Sequence, residues 1–415
     1  MNKKKVLWLS DFNCATGLAT VAHNIMEQLL GSALYDFHVI GINHLGEPYD
    51  FRKWPFPIYP AINLAKARSD QRYADVFGRQ RFLDFLNTGY FDIVFTLLDT
   101  FLLEPIADKI IEARERLGFQ WIFYYPVDGQ VRDSWINNSA LLADYPVCYT
   151  NFGRRETLRV NPAASPRVIY HGVNIKDFFP IEDISVFRRS YFKENADKFI
   201  ITNVNRNQLR KDIPRTITAF AKFKQYRPDS LLYLHMQPID LGGNILEMAS
   251  HWGLKKDIDF MVPDNFDVFR GYSIAKVNQI YNASDVVITT TLGEGWGLTT
   301  TEAMATKTPV IIPDNTALSE IGADGRARLV RSSKELICYG ASDGNNYRPL
   351  TDVDDLVAAL VDCYDNRDKY AAMAEKAFNW VVNLSWDNIG CYWREIFACA
   401  AKAAETRRTQ KISAQ

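Results

Sequence analysis

The chain has 415 residues, which is too long for one ordinary hydrophobic core and fits two domains of middling size. With 47% hydrophobic and 23% charged residues, the composition excludes a disordered chain, a collagen-like repeat and a disulfide-dense secreted scaffold. The 48 Lys and Arg residues balance 49 Asp and Glu residues to a formal net charge of −1, whereas a protein that depends on nonspecific phosphate contacts usually carries a basic excess.

The six cysteines are scattered and form no CxxC pair, and no histidine cluster has the spacing of a metal site. This pattern is typical of reduced thiols in a cytosolic protein and gives no support for a structural zinc site. The basic N-terminus is followed only by the apolar run 6–9, which is too short for a signal segment or a membrane span. We therefore expect a cytoplasmic protein.

In the first half of the chain, short apolar runs alternate with amphipathic helical patterns. Segment 43–68 differs because its prolines and aromatic residues break any helix, so we predict a long surface loop there. The predicted strands are 6–9, 37–42, 93–98, 121–125 and 146–149, and the predicted helices are 18–30, 71–86 and 105–117.

The alternation pauses over residues 171–190, whose turn residues suit a connection between domains, and it then restarts. After residue 351 three helices follow one another, the last of them rich in aromatic residues, with a polar tail from Lys402 that we expect to fray. The predicted strands of this half are 199–204, 231–235, 258–262, 286–290 and 309–312, and the predicted helices before residue 351 are 213–226, 245–251, 274–281 and 298–306.

Strands that alternate with helices of this length predict βαβ units and parallel sheets. The fold class is therefore α/β, with two Rossmann-like, doubly wound domains in tandem, over residues 1–180 and 190–385. The terminal helices, about 386–405, are expected to pack back on the first domain. Ligands of such sheets bind beyond the carboxyl ends of the strands, which for two facing sheets means the cleft between them.

The most informative stretch is 289–305, where an apolar strand leads through Gly293, Gly295 and Gly297 into a helix from Leu298. Glycines let a ligand approach the backbone, and the free amides at a helix start favour an anion such as a pyrophosphate. The spacing is GxGxG, late in the chain, and not the GxGxxG of a dinucleotide fold.

Two glutamates, Glu294 and Glu302, lie on either side of this helix start, eight positions apart. A carboxylate does not bind phosphate oxygens, so both are expected to bind hydroxyl groups that flank a diphosphate, as a sugar and a ribose would supply. The alternative is that acidic residues near a helix start only complement its dipole.

Residues 293–312 read GEGWGLTTTEAMATKTPVII, and the spacing Glu294-x7-Glu302 resembles the E-x7-E signature of glycosyltransferase family 4. Members of this family are retaining enzymes with the GT-B fold, in which two facing Rossmann-like domains enclose a cleft. The resemblance is strong over about 199–321 and weaker in the first half. Other segments in the family's order are Gly17 before a helix, HGVNIKDFFP at 171–180, NVNRNQLRKDIPRTITAFAKF at 203–223 and YNASDVVITTT at 281–291.

The resemblance implies donor-binding roles in the second domain. Arg206 and Lys211 match the two cations that bind the donor diphosphate, and such charges stabilise a leaving diphosphate in a water-poor site. Glu302 matches the residue that binds the ribose, and Glu294 the residue that contacts the transferred sugar. The remaining donor-binding positions implied by the resemblance are the backbone amides of Gly297, Leu298 and Thr299, together with Gly17 from the first domain.

One departure from the family concerns the sugar pocket. Many members carry a His-Asp pair at the end of a strand of the first domain, whereas this chain has YYPVDGQ over 124–130, with Asp128 and no histidine before it. Asp128 is expected to bind a sugar hydroxyl or to take the acceptor's proton as a general base. The alternative is an ordinary Asp-Gly turn.

No metal or cofactor is expected beyond a nucleotide-diphosphate sugar as co-substrate. The DxD sequences at 257–259 and 352–354 lack the chain context of a metal-diphosphate site, and the second opens a helix where acids are favoured. Arg206 and Lys211 would neutralise the leaving group instead.

These patterns predict a retaining, metal-independent glycosyltransferase that acts on a glycan, lipid or small-molecule hydroxyl. Basic and aromatic residues over 52–81 would suit an anionic acceptor such as modified nucleic acid, but interleaved acids make a mixed solvated face the commoner meaning. Transfer to nucleic acid therefore stays an alternative, as do a nucleotide-sugar epimerase and a non-catalytic sugar-nucleotide binder of the same architecture. Neither the sugar, the base nor the oligomeric state follows from the sequence.

Overall fold

The computed structural model describes residues 3–131, 139, 142–266, 271–337 and 346–413. The chain forms two compact units. The first consists of Met1–Val127, Val131–His171 and Trp386–Gln415, and the second of Asp128–Gln130 and Gly172–Ser385. Residues 172–180, which we predicted with the first domain, thus group with the second unit, as do residues 128–130.

The first unit contains a seven-stranded sheet in the order β3-β2-β1-β4-β5-β6-β7, in which every neighbouring pair is parallel. Its central strands contain the buried apolar runs 6–9 in β1, 93–95 in β4 and 121–125 in β5, as expected for strands that are covered on both faces. The strands are β1 (Lys4–Asp11), β2 (Tyr35–Ile42), β3 (Ile58–Pro60), β4 (Ile93–Leu97), β5 (Gln120–Tyr125), β6 (Tyr145–Cys148) and β7 (Arg167–Val168).

The structure describes six α-helices before residue 172, where the main segment of the second unit begins. Two of them begin at threonine caps, since Thr16 accepts a hydrogen bond from the Ala19 amide and Thr150 accepts one from the Gly153 amide. The helices are α1 (Gly17–Leu30), α2 (Leu64–Ala67), α3 (Arg79–Asn87), α4 (Thr100–Leu103), α5 (Ala107–Leu117) and α6 (Asn151–Val160).

The second unit contains a six-stranded parallel sheet in the order β12-β9-β8-β13-β14-β15 and two antiparallel hairpins, β10-β11 and β16-β17. The strands are β8 (Phe199–Val204), β9 (Ser230–His235), β10 (Ile239–Asp240), β11 (Gly243–Asn244), β12 (Phe260–Met261), β13 (Val286–Ile288), β14 (Val310–Pro313), β15 (Arg328–Val330), β16 (Ser332–Ile337) and β17 (Arg348–Thr351).

Helices cover both faces of this second sheet. Successive residues of a strand point to opposite faces, so Ile201 and Leu232 pack with one group of helices, while Ile200 and Leu231 pack with Phe192 and Ile280 on the other. The helices are α7 (Ser185–Phe192), α8 (Ile213–Tyr226), α9 (Ile245–His251), α10 (Ile274–Asn282), α11 (Leu298–Ala305), α12 (Thr316–Ile321), α13 (Val353–Asp365) and α14 (Arg367–Val381).

The last helix, α15 (Trp386–Ser413), packs on the first sheet. The Phe397 ring stacks on Trp8, with ring centroids 6.3 Å apart, and Trp393 meets Phe95 edge-on at 5.8 Å. The prediction of a frayed tail from Lys402 is wrong, because the helix continues and the Arg408 guanidinium binds the Asp92 carboxylate at 2.7 Å.

Segment 43–68 is not a plain surface loop as predicted. It contains β3 and α2, and Trp54 and Phe56 are buried. Both rings meet Phe12 edge-on, with centroids 5.1 and 5.9 Å apart, so the aromatic residues anchor the segment. None of the helices within the described ranges is long and apolar enough to cross a membrane.

Candidate active site

The glycine-rich turn after β13 leads directly into α11. Gly297 is the N-cap of this helix and has the left-handed conformation, with φ 108°. Because it is a glycine, no side chain of the cap binds the first amides of the helix. The amides of Leu298 and Thr299 stand in the first turn of α11, where a helix supplies no carbonyl partner. The predicted strand-turn-helix is confirmed, and its helix start is suited to an anion.

Gly293 is required by a close approach of the backbone. A Cβ at this position would lie 2.0 Å from the Asp128 carbonyl oxygen and 2.9 Å from Arg348 Nη1. The glycine therefore lets the segment 128–130 lie directly on the turn.

Glu294, the first predicted carboxylate, lies between two cations. Its Oε1 binds Lys211 Nζ in a short contact, and its Oε2 lies 3.2 Å from Arg210 Nη1. The Arg210 guanidinium also donates to the Gly293 carbonyl. Arg210 and Lys211 reach the turn because they stand on the short helical turn Leu209–Lys211, which follows β8.

Charge interactions determine the protonation of this cluster. Burial alone would raise the pKa of Glu294, but the charges of Lys211 and Arg210 outweigh it and lower the pKa to about 2. Burial lowers the pKa of Lys211, an effect that the Glu294 carboxylate opposes. At neutral pH Glu294 is therefore ionised.

Arg206, the other predicted diphosphate cation, lies apart from Glu294. Its Nε donates a hydrogen bond to Asp240 Oδ2 at 2.8 Å, and its Nη2 donates one to Asp240 Oδ1 at 3.3 Å. Asp240 belongs to strand β10 of the hairpin β10-β11, so the ion pair is bidentate and joins Arg206 to this hairpin. The Arg206 side chain is 42% exposed, against 13% for Lys211. The structure thus brings Lys211 to the turn and, in this state, pairs Arg206 with a carboxylate.

Asp128 is bound by two arginines. Arg348 Nη2 donates to Asp128 Oδ1 at 2.9 Å, and Arg210 Nε lies 3.4 Å from Asp128 Oδ2. Burial would raise the pKa of this carboxyl, but the charges of Arg348 and Arg210 hold it below the usual value. Asp128 is an ionised carboxylate in the same charged cluster as Glu294.

Glu302 lies in the second turn of α11 and has a different environment. Its Oε2 accepts a hydrogen bond from the Tyr281 hydroxyl at 2.9 Å. Burial raises the pKa of Glu302 to about 7, against the smaller opposing effect of the Tyr281 bond. The pKa of Glu302 is therefore far above that of Glu294, about 7 against about 2.

Gly17 belongs to the first unit, where it is the first residue of α1. Thr16 precedes it as the helix cap, and the Thr16 hydroxyl donates to Asp11 Oδ2 at 2.5 Å. The predicted role of Gly17 toward a phosphate stays a prediction.

Three residues of the site were missed by sequence reasoning: Arg210, Arg348 and Tyr281. Arg210 had a usable signal, because it adjoins Lys211 in the segment already singled out. Arg348 is separated from Asp128 by 220 positions and stands in no pattern that we recognised, so nothing in the sequence indicated their contact.

The two DxD sequences serve the structure around them. Asp352 caps α13 by accepting hydrogen bonds from the amides of Asp354 and Asp355, and Asp259 pairs with Lys224 at 3.2 Å. Within the part of the chain that the structure describes, no group of three or more His, Cys, Asp or Glu side chains could hold a metal ion.

The chain is similar to known proteins. Residues 187–380 match the family model of the glycosyl transferases, group 1. The matched segment contains Lys211, Glu294, Glu302 and Arg348. A curated relative, alpha-maltose-1-phosphate synthase of Mycolicibacterium smegmatis, is 25% identical over 271 residues, which are 64% of this chain and 65% of that protein. The match thus spans slightly less than two thirds of that relative's length.

Solved structures resemble nearly the whole chain. Sucrose-phosphate synthase from Thermosynechococcus elongatus has a TM-score of 0.71 at 18% identity, covering 96% of this chain and 100% of that one. HepE of Anabaena, in complex with UDP and glucose, has a TM-score of 0.70 at 15% identity, covering 95% and 100%. These likenesses concern the fold, and the predicted GT-B fold with two parallel-sheet α/β units is confirmed.

Proposed function

We propose that this chain is a retaining glycosyltransferase that moves a sugar from a nucleoside-diphosphate sugar to an acceptor hydroxyl without a divalent metal. The observation that carries the proposal is the position of Glu294. It is held ionised by Lys211 and Arg210 at a glycine turn that opens a helix, and the same helix carries Glu302. Retention of configuration follows from the E-x7-E resemblance.

The donor would be bound by charge at its centre and by carboxylates at both ends. Lys211 and the amides of Gly297, Leu298 and Thr299 bind the diphosphate. Arg206 joins them when it leaves Asp240. Glu302 accepts hydrogen bonds from the ribose, and Glu294 from a hydroxyl of the transferred sugar once Lys211 turns to the phosphate.

In the transfer, the bond between the anomeric carbon and the phosphate oxygen breaks, and its electron pair leaves with the diphosphate. The acceptor oxygen forms the new bond to the same carbon on the same face, and its proton passes to the leaving phosphate oxygen. Fixed cations stabilise the charge that develops on the diphosphate, which is the task a divalent ion performs in other transferases. No group of this chain forms a bond to the sugar.

The surface of the first unit supports an uncharged acceptor hydroxyl over a nucleic acid. Five of the seven basic side chains of segment 52–81 are paired with carboxylates, which leaves little excess charge for phosphates. The pairs are Arg52–Asp50 at 3.2 Å, Lys53–Glu27 at 3.2 Å, Lys66–Asp84 at 3.2 Å, Arg72–Asp70 at 2.7 Å and Arg79–Asp75 at 2.7 Å.

The test is release of nucleoside diphosphate from a panel of nucleoside-diphosphate sugars, with and without EDTA. UDP-glucose is the first donor to try, because HepE was crystallised with it. We expect turnover that EDTA leaves unchanged and that E294Q and K211M each lower by about 100-fold. K222M and D354N, which remove an exposed Lys–Asp pair of the same unit, are matched controls and should keep full turnover.

Product analysis separates the alternatives. An epimerase would yield an isomerised nucleotide sugar, and a non-catalytic binder would bind the donor without turnover. Equal turnover in wild type, E294Q and K211M would refute the proposed site.

A further inference from the structure

The hairpin β16-β17 supplies a buried arginine to the candidate site. Ile337 of β16 is paired with Arg348 of β17, and Tyr347 makes two backbone hydrogen bonds with Gln130, of 2.9 and 3.0 Å. The hairpin is thereby joined to residues 128–130, the segment that carries Asp128. Within the described residues this is the only strand pairing that the segment makes.

Arg348 binds Asp128 at two places. Its side chain is 1% exposed, Nη2 donates to Asp128 Oδ1 at 2.9 Å, and Nη1 donates to the Asp128 carbonyl oxygen. The Asn346 side chain adds a bond to Oδ1 at 3.3 Å. A guanidinium that binds both the backbone and the carboxylate of one residue fixes the direction of that side chain.

Asp128 is at the same time part of the glycine turn. Its carbonyl lies where a side chain of Gly293 would be, and Arg210 bridges the Asp128 carboxylate and Glu294. Arg348, Asp128 and Arg210 thus form one series of ion pairs that ends at Glu294, the residue proposed to contact the transferred sugar.

The hydrogen bonds of the carboxylate leave it one free direction. Oδ1 accepts hydrogen bonds from Arg348 and Asn346, which uses its two lone pairs. Among the described residues, Oδ2 has only an ion pair with Arg210 Nε, at 3.4 Å. A carboxylate whose pKa is lowered by two arginines is a poor general base at neutral pH but a good acceptor of a hydroxyl hydrogen bond.

We propose that Arg348 is a positioning residue, which holds the Asp128 carboxylate so that Oδ2 accepts a hydrogen bond from a hydroxyl of the transferred sugar. This inference rests on the proposed function, since it assumes a nucleoside-diphosphate sugar at the turn. It assigns the hairpin β16-β17 to recognition of the sugar, while Lys211 and α11 recognise the diphosphate.

The test compares R348M, R348K, D128N and the double variant D128N/R348M, with K334M as the control for removal of an exposed cation from the same hairpin. For each protein, the turnover of the nucleoside-diphosphate sugar and the dissociation constant of the nucleoside diphosphate alone are measured. We expect R348M and D128N each to lower kcat by about tenfold or more and the double variant to lose no more than the worse single variant. R348K should recover part of the loss.

Binding of the nucleoside diphosphate should change by less than about twofold in all variants, because it lacks the sugar hydroxyl. The acidic limb of the kcat profile should also move to higher pH by about one unit in R348M. Burial and the charge of Glu294 still raise the pKa of Asp128, whereas the charge of Arg348, the largest effect that lowers it, is gone. A merely structural arginine would lower nucleoside-diphosphate binding and kcat together and would leave the profile in place.

If R348M does not fold, R348K decides the question in two backgrounds. It should lower kcat in the wild-type background and leave kcat unchanged in D128N. Equal factors in both backgrounds, or unchanged kcat in R348M, would overturn the role of Arg348. Absence of turnover in the wild type with every donor would instead refute the proposed function, so the two failures are distinguishable.

Discussion

At the scale of single residues, the two glutamates of the E-x7-E pattern differ because of their neighbours. Glu294 has two cations beside it and a pKa of about 2, whereas Glu302 has, among the described residues, only the Tyr281 hydroxyl as a hydrogen-bond partner and a pKa of about 7. A cation favours the ionised form of a buried carboxyl, and burial without one favours the neutral form. Glu294 is thus charged before the donor binds, while Glu302 gains its charge in the physiological range.

This difference predicts how nucleotide binding depends on pH. The pKa of Glu302 is raised in the folded state, so its contribution to stability is full below about pH 4.5 and is lost as pH rises through about 7. A ribose hydroxyl donates to the ionised form, so the affinity for a nucleoside diphosphate should increase between pH 6 and 8. Calorimetric titrations should show this increase in wild type and lose it in E302Q; the same slope in both proteins would contradict the role of Glu302.

The Arg206–Asp240 pair predicts a competition for the diphosphate. If Arg206 must leave Asp240 to reach the donor, D240N should raise the affinity for a nucleoside diphosphate by about two- to fivefold, the range set by an exposed ion pair. D354N removes another exposed acid and is the control. A weaker affinity in D240N would mean that Asp240 instead holds Arg206 in its binding position.

At the scale of elements, the sequence predicted those whose signals are local. Helix α8 begins at Ile213, one residue before Pro214, and carries apolar residues at helical spacing, so its predicted bounds are confirmed. The residues of strand β16 are partly exposed, and polar and apolar side chains do not alternate along it, so its sequence did not predict a strand. In segment 43–68 the prolines indicated a loop, but burial of Trp54 and Phe56 overrode that local signal.

The same distinction applies to the site. Glycines and glutamates close together in the chain gave a readable pattern around Glu294 and Glu302. The contacts of Asp128 with Arg210 and Arg348 join distant segments, and no property of the isolated segments specifies them.

The conformation of the glycine turn gives a prediction for Gly297. Its φ of 108° is unfavourable for other residues, and a Cβ would lie 2.9 Å from Leu318 Cδ2. G297A should therefore lower the free energy of unfolding by about 1–3 kcal/mol and weaken nucleoside-diphosphate binding. G31A, at a helix end with φ −61° and open space around it, should change the unfolding free energy by less than about 1 kcal/mol. Equal unfolding midpoints for both variants would show that the turn tolerates a side chain.

At the scale of the whole molecule, the first unit is completed by the last part of the chain. Helix α15 covers Trp8 and Phe95 with Phe397 and Trp393, all fully buried. The buried core of the first unit is therefore incomplete without residues 386–413, although they follow the second unit in the chain.

Truncation of this aromatic contact should destabilise the first unit. F397A leaves a cavity beside Trp8 and should cost about 3–5 kcal/mol of unfolding free energy, whereas Y392A, at a half-exposed site on the same helix, should cost much less. Denaturant unfolding followed by tryptophan fluorescence measures both. Similar losses in the two variants would contradict the assigned packing of α15.

The most direct test of a donor site at the glycine turn is a crystal structure of the chain with a nucleoside diphosphate. The predicted result has phosphate oxygens at about 3 Å from Lys211 Nζ and from the amides of Leu298 and Thr299, with the ribose hydroxyls on Glu302. A nucleotide bound elsewhere, with the Lys211–Glu294 contact intact and the start of α11 unoccupied, would contradict it.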